Sequence, residues 1–178
     1  RGFLPGVSTA LLRGREVVDR FVCGHADIEA STPLREDHLF RVFSNTKLVT
    51  SCAVLLLVEQ GLLALDDPIE RYLPELGQRQ VLRPGATDLV DVEPARQPIT
   101  VRHLMTHTAG LSYGLFNPGA LLHDAYRQAR VHRPTLSNAQ LVSELEALPL
   151  AFPLAEQWES SLAPDVLAPL LNAPSGES

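Results

Sequence analysis

One segment of this chain is apolar on nearly every side of a helix, and it constrains the fold more than any other feature. Residues 46–60 carry nine apolar side chains, and Gly61 follows as a helix stop. A helix without a polar face is stable in water only when other elements pack against all of its sides, so we expect this one to be buried in the middle of the protein. The longest uninterrupted apolar runs, 54–58 and 61–65, are far shorter than the ~18 residues of a membrane span, so no transmembrane helix is predicted.

The composition fits one domain with a proper core. The 178 residues are 45% apolar and 20% charged, with a net charge of −6, which argues against nucleic acid as a partner. Cys23 and Cys52 have no paired spacing, so we predict small buried side chains rather than a disulfide or a zinc site. The chain begins at Arg1, and Met105 is its only methionine, so we expect a piece of a longer protein whose targeting signal is not visible here.

Local patterns predict an early hairpin followed by helices. Apolar runs at 6–12 and 17–23 flank a polar connection containing Gly14, which predicts two antiparallel strands. The predicted helices are a short one from an Asp66-Asp67 cap to Pro74, then 100–107, 120–131, 137–149 and 161–171, with a surface loop at 77–98. The pair Ser137 and Gln140 makes a capping box. Because a hairpin alone is marginal, we expect its partner strands beyond residue 178.

A serine and the only lysine stand at the head of the apolar helix. Ser44 and Lys47 are three residues apart, which places both on one helix face. The other basic residues are 14 arginines, which cannot release a proton, whereas a desolvated lysine can. The pattern predicts a serine nucleophile whose proton passes to the lysine, with the helix N-terminus favouring an oxyanion. The alternative interpretation makes Ser44 an N-cap and Lys47 a surface charge with its stem on apolar surface.

A second serine lies in a different hydrolase pattern. Ser112 is the serine of a G-x-S-x-G sequence, and Asp124 and His132 follow it in the order of an α/β-hydrolase triad. That elbow needs a strand before the serine and a helix after it. Here a predicted helix precedes the serine and a proline-containing loop at 116–119 follows it. We therefore expect a turn at Ser112 rather than a nucleophile.

Two further pairs of side chains resemble sites but favour structural interpretations. His103 and His107 have the spacing of two metal ligands on a helix, but the glutamate of H-E-x-x-H is missing. Asp66 and Asp67 could form a pair of carboxylates for acid–base catalysis, but their position directly before Pro68 favours the capping of a helix N-terminus. No metal or organic cofactor is predicted.

Several blocks of sequence, taken in order, resemble one known family. They are the segment 43–47 with the apolar helix to 61, the segments 65–68 and 72–74, and the segment 99–111. Together they are similar to the serine β-lactamase and penicillin-binding protein superfamily, above all to class C β-lactamases and family VIII carboxylesterases. The similarity runs from the hairpin to residues 175–176. It implies that Ser44 is acylated by an ester or a β-lactam and that Lys47 assists its deprotonation.

The resemblance also implies a catalytic tyrosine that this chain lacks at the matching position. The family has a W-x-Y-S sequence, whereas Trp158 is followed here by a glutamate and two serines, so Ser160 stands in the tyrosine's place. A serine hydroxyl is shorter and much harder to deprotonate than a phenol with a pKa near 10. The family's glycine–threonine turn is altered at 154–156, and its third motif, a K-T-G or H-x-G strand, does not occur in the 178 residues.

These features together predict an α+β fold of the β-lactamase/DD-peptidase type. It has an antiparallel sheet flanked by helices and an all-helical lobe, with the C-terminal strands supplied by the rest of a longer chain. Residues 1–178 would be one incomplete domain, with the hairpin and nucleophile helix at 1–60 and a mostly helical lobe at 61–178.

The resemblance implies hydrolysis of small carboxylic esters or β-lactams through an acyl-enzyme, with esters favoured. The alternative is a non-catalytic member of the fold that has lost its general base at Ser160. The compartment stays open: cytoplasmic for an esterase, periplasmic for a β-lactamase.

Overall fold

The computed structural model describes residues 3–115, 119–133 and 135–172. Most of the predicted loop at 116–119, and the end of the family resemblance at 175–176, lie outside the described residues. The chain divides into two compact units, Arg1–Phe43 and Ser44–Ser178. Among the described residues, no helix combines the length and hydropathy that a bilayer crossing requires.

The first unit is the predicted hairpin with a short third strand. Strand β1 (Gly6–Arg13) pairs antiparallel with β2 (Glu16–Asp27), and β2 pairs with the two-residue β3 (Thr32–Pro33). Gly14 turns the chain between β1 and β2 with a left-handed φ of 64°. Large apolar side chains on both strands are exposed, including Leu11 and Phe21.

The second unit contains five α-helices among its described residues. Its helices are α1 (Asn45–Glu59), α2 (Val101–Met105), α3 (Leu121–Gln128), α4 (Asn138–Glu146) and α5 (Ala163–Asn172). The capping box of Ser137 and Gln140 is confirmed, and a second one joins Thr100 to His103 at the start of α2. These boxes fix where α2 and α4 begin.

The core of the second unit is centred on α5. Val166, Leu167 and Leu170 are fully buried, and α5 packs against α1, α2 and α4. Val54 of α1 belongs to the same apolar cluster. Helix α5 therefore connects the helix that carries the S-x-x-K pattern to the rest of the core.

The expectation that α1 is buried on all sides is wrong for this chain. Val54 is its one buried residue, whereas Leu48 and Val49 are each 69% exposed. The physical reason is that α5 covers one side of α1, and apolar composition cannot reveal which sides receive a neighbour.

The prediction of buried cysteines is also wrong. Cys23 and Cys52 are both exposed free thiols. Cys23 lies on a strand whose residues are exposed on both faces, and Cys52 lies on α1. Neither element has a packing layer over the cysteine within the described residues, so the usual preference of cysteine for the interior has no effect here.

The segments 66–74 and 77–98 differ from prediction. Asp66 and Asp67 do not cap a helix, because Pro68 is extended before a short 3₁₀ turn, Ile69–Arg71, which has no side-chain cap. The Asp67 carboxylate accepts hydrogen bonds from the Ala64 N–H and the Tyr72 hydroxyl, both at 2.7 Å, and these bonds lower its pKa. The predicted loop contains two paired strands, β4 (Gln80–Leu82) and β5 (Val92–Pro94), which are too short to produce an alternating pattern.

Candidate active site

Ser44 lies directly before the first turn of α1. Its carbonyl accepts a hydrogen bond from the Lys47 N–H at 3.1 Å, and its side chain makes no capping hydrogen bond. The residue is exposed. Phe43 before it has a left-handed φ of 43°, a costly conformation for a bulky side chain and one that is concentrated at functional sites. The Ser44 hydroxyl is therefore not used as an N-cap, which was the alternative interpretation of this residue.

The Lys47 ammonium is held by three groups of the second unit. Its Nζ donates to the Ser161 carbonyl and to Asp165 Oδ2, both at 3.2 Å. It also lies 5.2 Å from the centroid of the Tyr113 ring, within the range of a cation–π contact. With only 20% of its side chain exposed, Lys47 is a bound cation and not a solvated surface charge.

Hydrogen bonds fix the segment that contains Ser160. Ser161 is buried, its N–H donates to His107 Nδ1 at 3.2 Å, and its Oγ accepts from the Ala163 N–H at 3.2 Å. The Glu159 N–H donates to the His107 carbonyl at 3.1 Å. Ser160 lies half-buried between these anchored residues. Ser160 is therefore next to the residue whose carbonyl binds Lys47.

His107 is a neutral ring with a defined tautomer. Burial and the charge of Lys47 lower the pKa of His107 from its ordinary value of 6.5. Because the Ser161 N–H donates to Nδ1, the neutral ring carries its proton on Nε2. His103 accepts the Thr100 N–H at its own Nδ1. Both histidines of the i, i+4 pair thus use one ring nitrogen in a bond to the main chain.

Trp158 lies at the edge of this cluster. Its ring meets the His107 ring edge-on at 5.9 Å between centroids, and 67% of the residue is exposed. It is the only tryptophan of the chain.

Ser112 has a structural environment. Its Oγ donates to Glu159 Oε1 at 2.7 Å, and its N–H donates to the hydroxyl of the fully buried Tyr126. Asp124 instead contacts His123 Nδ1 at 3.2 Å, and His132 stacks on Tyr113. Within the described residues, Ser112 therefore makes no hydrogen bond of a catalytic triad with Asp124 or His132.

The two glycines of the G-x-S-x-G pattern have a packing role. Gly110 and Gly114 have left-handed φ values of 70° and 65°. A Cβ on Gly110 would come within 2.5 Å of the Phe152 carbonyl oxygen, and one on Gly114 within 2.5 Å of Tyr126 Cβ. Only glycine fits at both positions, because the backbone conformation and the space are both restrictive.

Two residues near Lys47, Asp165 and Tyr113, were not predicted from the sequence. Asp165 is in the first turn of α5, where an acidic side chain is normally explained by the helix dipole. Tyr113 is a variable position of the G-x-S-x-G pattern, which assigns a role to the serine and none to the residue after it. The contact between Lys47 and Asp165 joins residues 118 apart, so no local spacing could have revealed it.

The family model for beta-lactamase matches residues 1–178. The chain belongs to the beta-lactamase family. It is 38% identical over 177 residues to esterase EstB of Burkholderia gladioli, covering 98% of this chain and 42% of that protein. It is 37% identical over 148 residues to acyltransferase calJ of Penicillium decumbens, covering 83% of this chain and 34% of that protein.

Solved structures of the beta-lactamase family show the same fold. EstCE1, a hydrolase with promiscuous acyltransferase activity, aligns with a TM-score of 0.80 and 29% identity, covering 97% of this chain and 43% of its own. Simvastatin synthase LovD from Aspergillus terreus aligns with a TM-score of 0.73 and 28% identity, covering 98% and 44%. The predicted α+β fold and family are confirmed. The chain spans less than half the length of these relatives.

Proposed function

We propose that this chain carries the nucleophile of a serine esterase or acyltransferase, with Ser44 as the acylated residue and Lys47 as its proton-transfer partner. One observation carries the proposal. Ser44 is exposed directly before α1, and its side chain makes no capping hydrogen bond. The ammonium of Lys47, three residues later, contacts a main-chain carbonyl, a carboxylate and an aromatic ring. Esters are favoured over β-lactams because the relatives named above are esterases and acyltransferases.

The chemistry follows from these two groups. Ser44 Oγ bonds to the ester carbonyl carbon while its proton passes to the Lys47 amine. The C–O bond to the alcohol then breaks, and the lysine returns the proton to the departing alkoxide. Water attacking the acyl-Ser44 ester releases a carboxylic acid, whereas a second alcohol releases a new ester. Main-chain N–H groups at the start of α1 favour the oxyanion that forms on the way.

Intact-mass spectrometry tests the nucleophile. We expect incubation with p-nitrophenyl butyrate to add one acyl group to the wild-type chain, and Ser44→Ala to abolish that adduct. Ser112→Ala is the matched control and should still be labelled, because Ser112 donates to Glu159 in the folded chain. Penicillin in a parallel sample reports lactam reactivity. An adduct that persists in folded Ser44→Ala, or that is lost in folded Ser112→Ala, would contradict the assignment of Ser44.

A second candidate function is supported by Ser160. Without a phenol at this position, the chain is a candidate for a beta-lactamase-fold protein that holds an acyl ligand without turning it over. The two functions differ in whether a tyrosine at this position increases ester turnover.

A further inference from the structure

We propose that a cavity next to the candidate active site binds a small organic cation, an ammonium group attached to an apolar group such as a single ring. The cavity lies beside Ser112 and Glu159 in the second unit, and we call it the Glu159 cavity. Ser44 and Lys47 are absent from the described residues that line it. The cation is therefore a different ligand from the ester of the proposed function.

Three segments of the second unit form the walls of the Glu159 cavity. They are residues 82–86 at the end of β4 and after it, residues 120–122 at the start of α3, and residues 151–153. The space between them is about 320 Å³, at the lower end of the range for small-molecule sites. Phe152 and Leu122 are buried in these walls, so the cavity offers an apolar surface to a small ligand.

Glu159 supplies a carboxylate that is fixed in place on one side only. Its Oε1 accepts a hydrogen bond of 2.7 Å from the hydroxyl of Ser112, which is only 7% exposed. Its Oε2 makes no hydrogen bond or ion pair with any residue that the structure describes. Glu159 is half-buried, and a carboxylate that has lost part of its water is stabilised by a positive charge. The cavity therefore lacks a cation at Glu159 Oε2.

The charges around the Glu159 cavity also favour a cation. Arg83 lines the cavity, but its Nε lies 3.8 Å from Asp91 Oδ1 and 4.0 Å from Glu93 Oε2. Two carboxylates thus already offset the guanidinium, and Glu159 adds a third negative charge. A ligand carboxylate would meet an excess of like charge, whereas an ammonium would meet an excess of opposite charge.

The segment 157–159 separates the Glu159 cavity from the candidate active site. Gln157 and Glu159 line the cavity, whereas the ring of Trp158 between them meets the His107 ring at 5.9 Å between centroids. The Glu159 N–H also donates to the His107 carbonyl at 3.1 Å. The two sites are therefore neighbours on one segment, and they can be told apart by the residues that respond to a ligand.

A titration of the wild-type chain with benzylammonium chloride tests the proposal. In ¹H–¹⁵N spectra of the full ¹⁵N-labelled chain, we expect saturable shifts of the amide signals of Ser112, Phe152 and Glu159. A Kd on the order of 1 mM is expected for so small a ligand. Benzyl alcohol has the same ring without the charge, so it should bind at least about tenfold more weakly at the same ionic strength. Benzoate should give no saturable shifts at these residues.

Glu159→Gln tests the role of the carboxylate. The amide oxygen can still accept the Ser112 hydroxyl, so this variant removes the charge and keeps the hydrogen bond. We expect its Kd for benzylammonium to rise about tenfold. Glu156→Gln is the matched control, because Glu156 is exposed on the same segment and does not line the cavity. Its Kd should equal that of the wild type.

Four results would overturn the proposal. They are an absence of saturable shifts with benzylammonium, equal or tighter binding of benzyl alcohol or benzoate, an unchanged Kd in folded Glu159→Gln, and shifts centred on Lys47 and Asp165 instead of the Glu159 cavity. If Glu159→Gln does not fold, the comparison of the three probes on the wild-type chain decides. None of these measurements uses an ester, so their outcome is independent of whether Ser44 is acylated.

Discussion

At the scale of single residues, Ser160 is the side chain that most limits the proposed chemistry. The next residue, Ser161, provides the carbonyl that binds Lys47 Nζ, so a tyrosine at position 160 would be attached to the backbone beside the proposed proton-transfer group. We expect Ser160→Tyr to raise ester turnover by about 10² to 10⁴, the usual contribution of a positioned acid–base group. The release of p-nitrophenol measures this rate.

The matched control for that gain is Ser160→Phe, which adds the ring without the hydroxyl. An increase in Ser160→Tyr alone would show that the scaffold lacked only a proton acceptor. Equal rates in the tyrosine and phenylalanine variants would instead favour the non-catalytic candidate.

His107 gives the chain a pH-dependent stability. Its pKa is lowered in the folded state by burial and by Lys47, so the unfolded state binds more protons at mildly acidic pH. The resulting stabilisation is complete above the unfolded pKa near 6.5 and is lost as the pH falls below it. His107→Asn keeps an acceptor in the place of Nδ1 and suits the left-handed φ of 57°. We expect its unfolding free energy to fall less than that of wild type between about pH 7.5 and 5.

Urea unfolding at several pH values measures this difference. The variant should keep some pH dependence, because burial also lowers the pKa of His103. A His107→Asn profile parallel to wild type would contradict the argument.

At the scale of elements, α1 packs on the core through one fully buried side chain, with Leu57 and Val58 partly buried beside it. Val54 is fully buried, whereas Val49 on the same helix is 69% exposed. We expect Val54→Ala to lower the free energy of unfolding by about 2 kcal/mol, and Val49→Ala to change it by less than about 0.5 kcal/mol. Both substitutions improve helix propensity equally, so their difference isolates the packing of α1. Thermal and urea unfolding measure it, and equal effects would show that α1 is not anchored at Val54.

Elements with a local cause were predictable from the sequence, and those with a distant cause were not. The β1–β2 hairpin and the capping box at Ser137 follow from residues within a few positions of each other. The exposure of α1 depends on where α5 packs, and strands β4 and β5 exist because two three-residue segments pair across a loop. The periodicity of apolar residues in the sequence reveals the local causes and not the distant ones.

At the scale of the whole molecule, the apolar core belongs to the second unit. In the described part of the chain, every buried apolar residue lies between Val54 and Leu170. We therefore expect residues 44–178, produced alone, to keep a cooperative thermal transition in far-ultraviolet circular dichroism. A non-cooperative melt would show that the first unit is required for folding.

In the candidate site, too, the contacts between distant segments of the chain could not be predicted from the sequence. Ser44 and Lys47 were identifiable because they are three residues apart at the start of one predicted helix. The groups that hold the ammonium, Ser161 and Asp165, are 114 and 118 residues away along the chain. Only the packing of α1 on α5 brings them together, and the helices themselves carry no local sign of it.

The place of Trp158 has an optical consequence. Because this is the only tryptophan, and its ring touches His107 beside the Lys47 cluster, the intrinsic fluorescence of the protein originates at the edge of the candidate site. An indole that is two-thirds exposed emits as a hydrated ring, and a ligand that covers it displaces that water. Binding of a substrate or product there should shift the emission to shorter wavelength, which makes the unmodified chain its own reporter of occupancy.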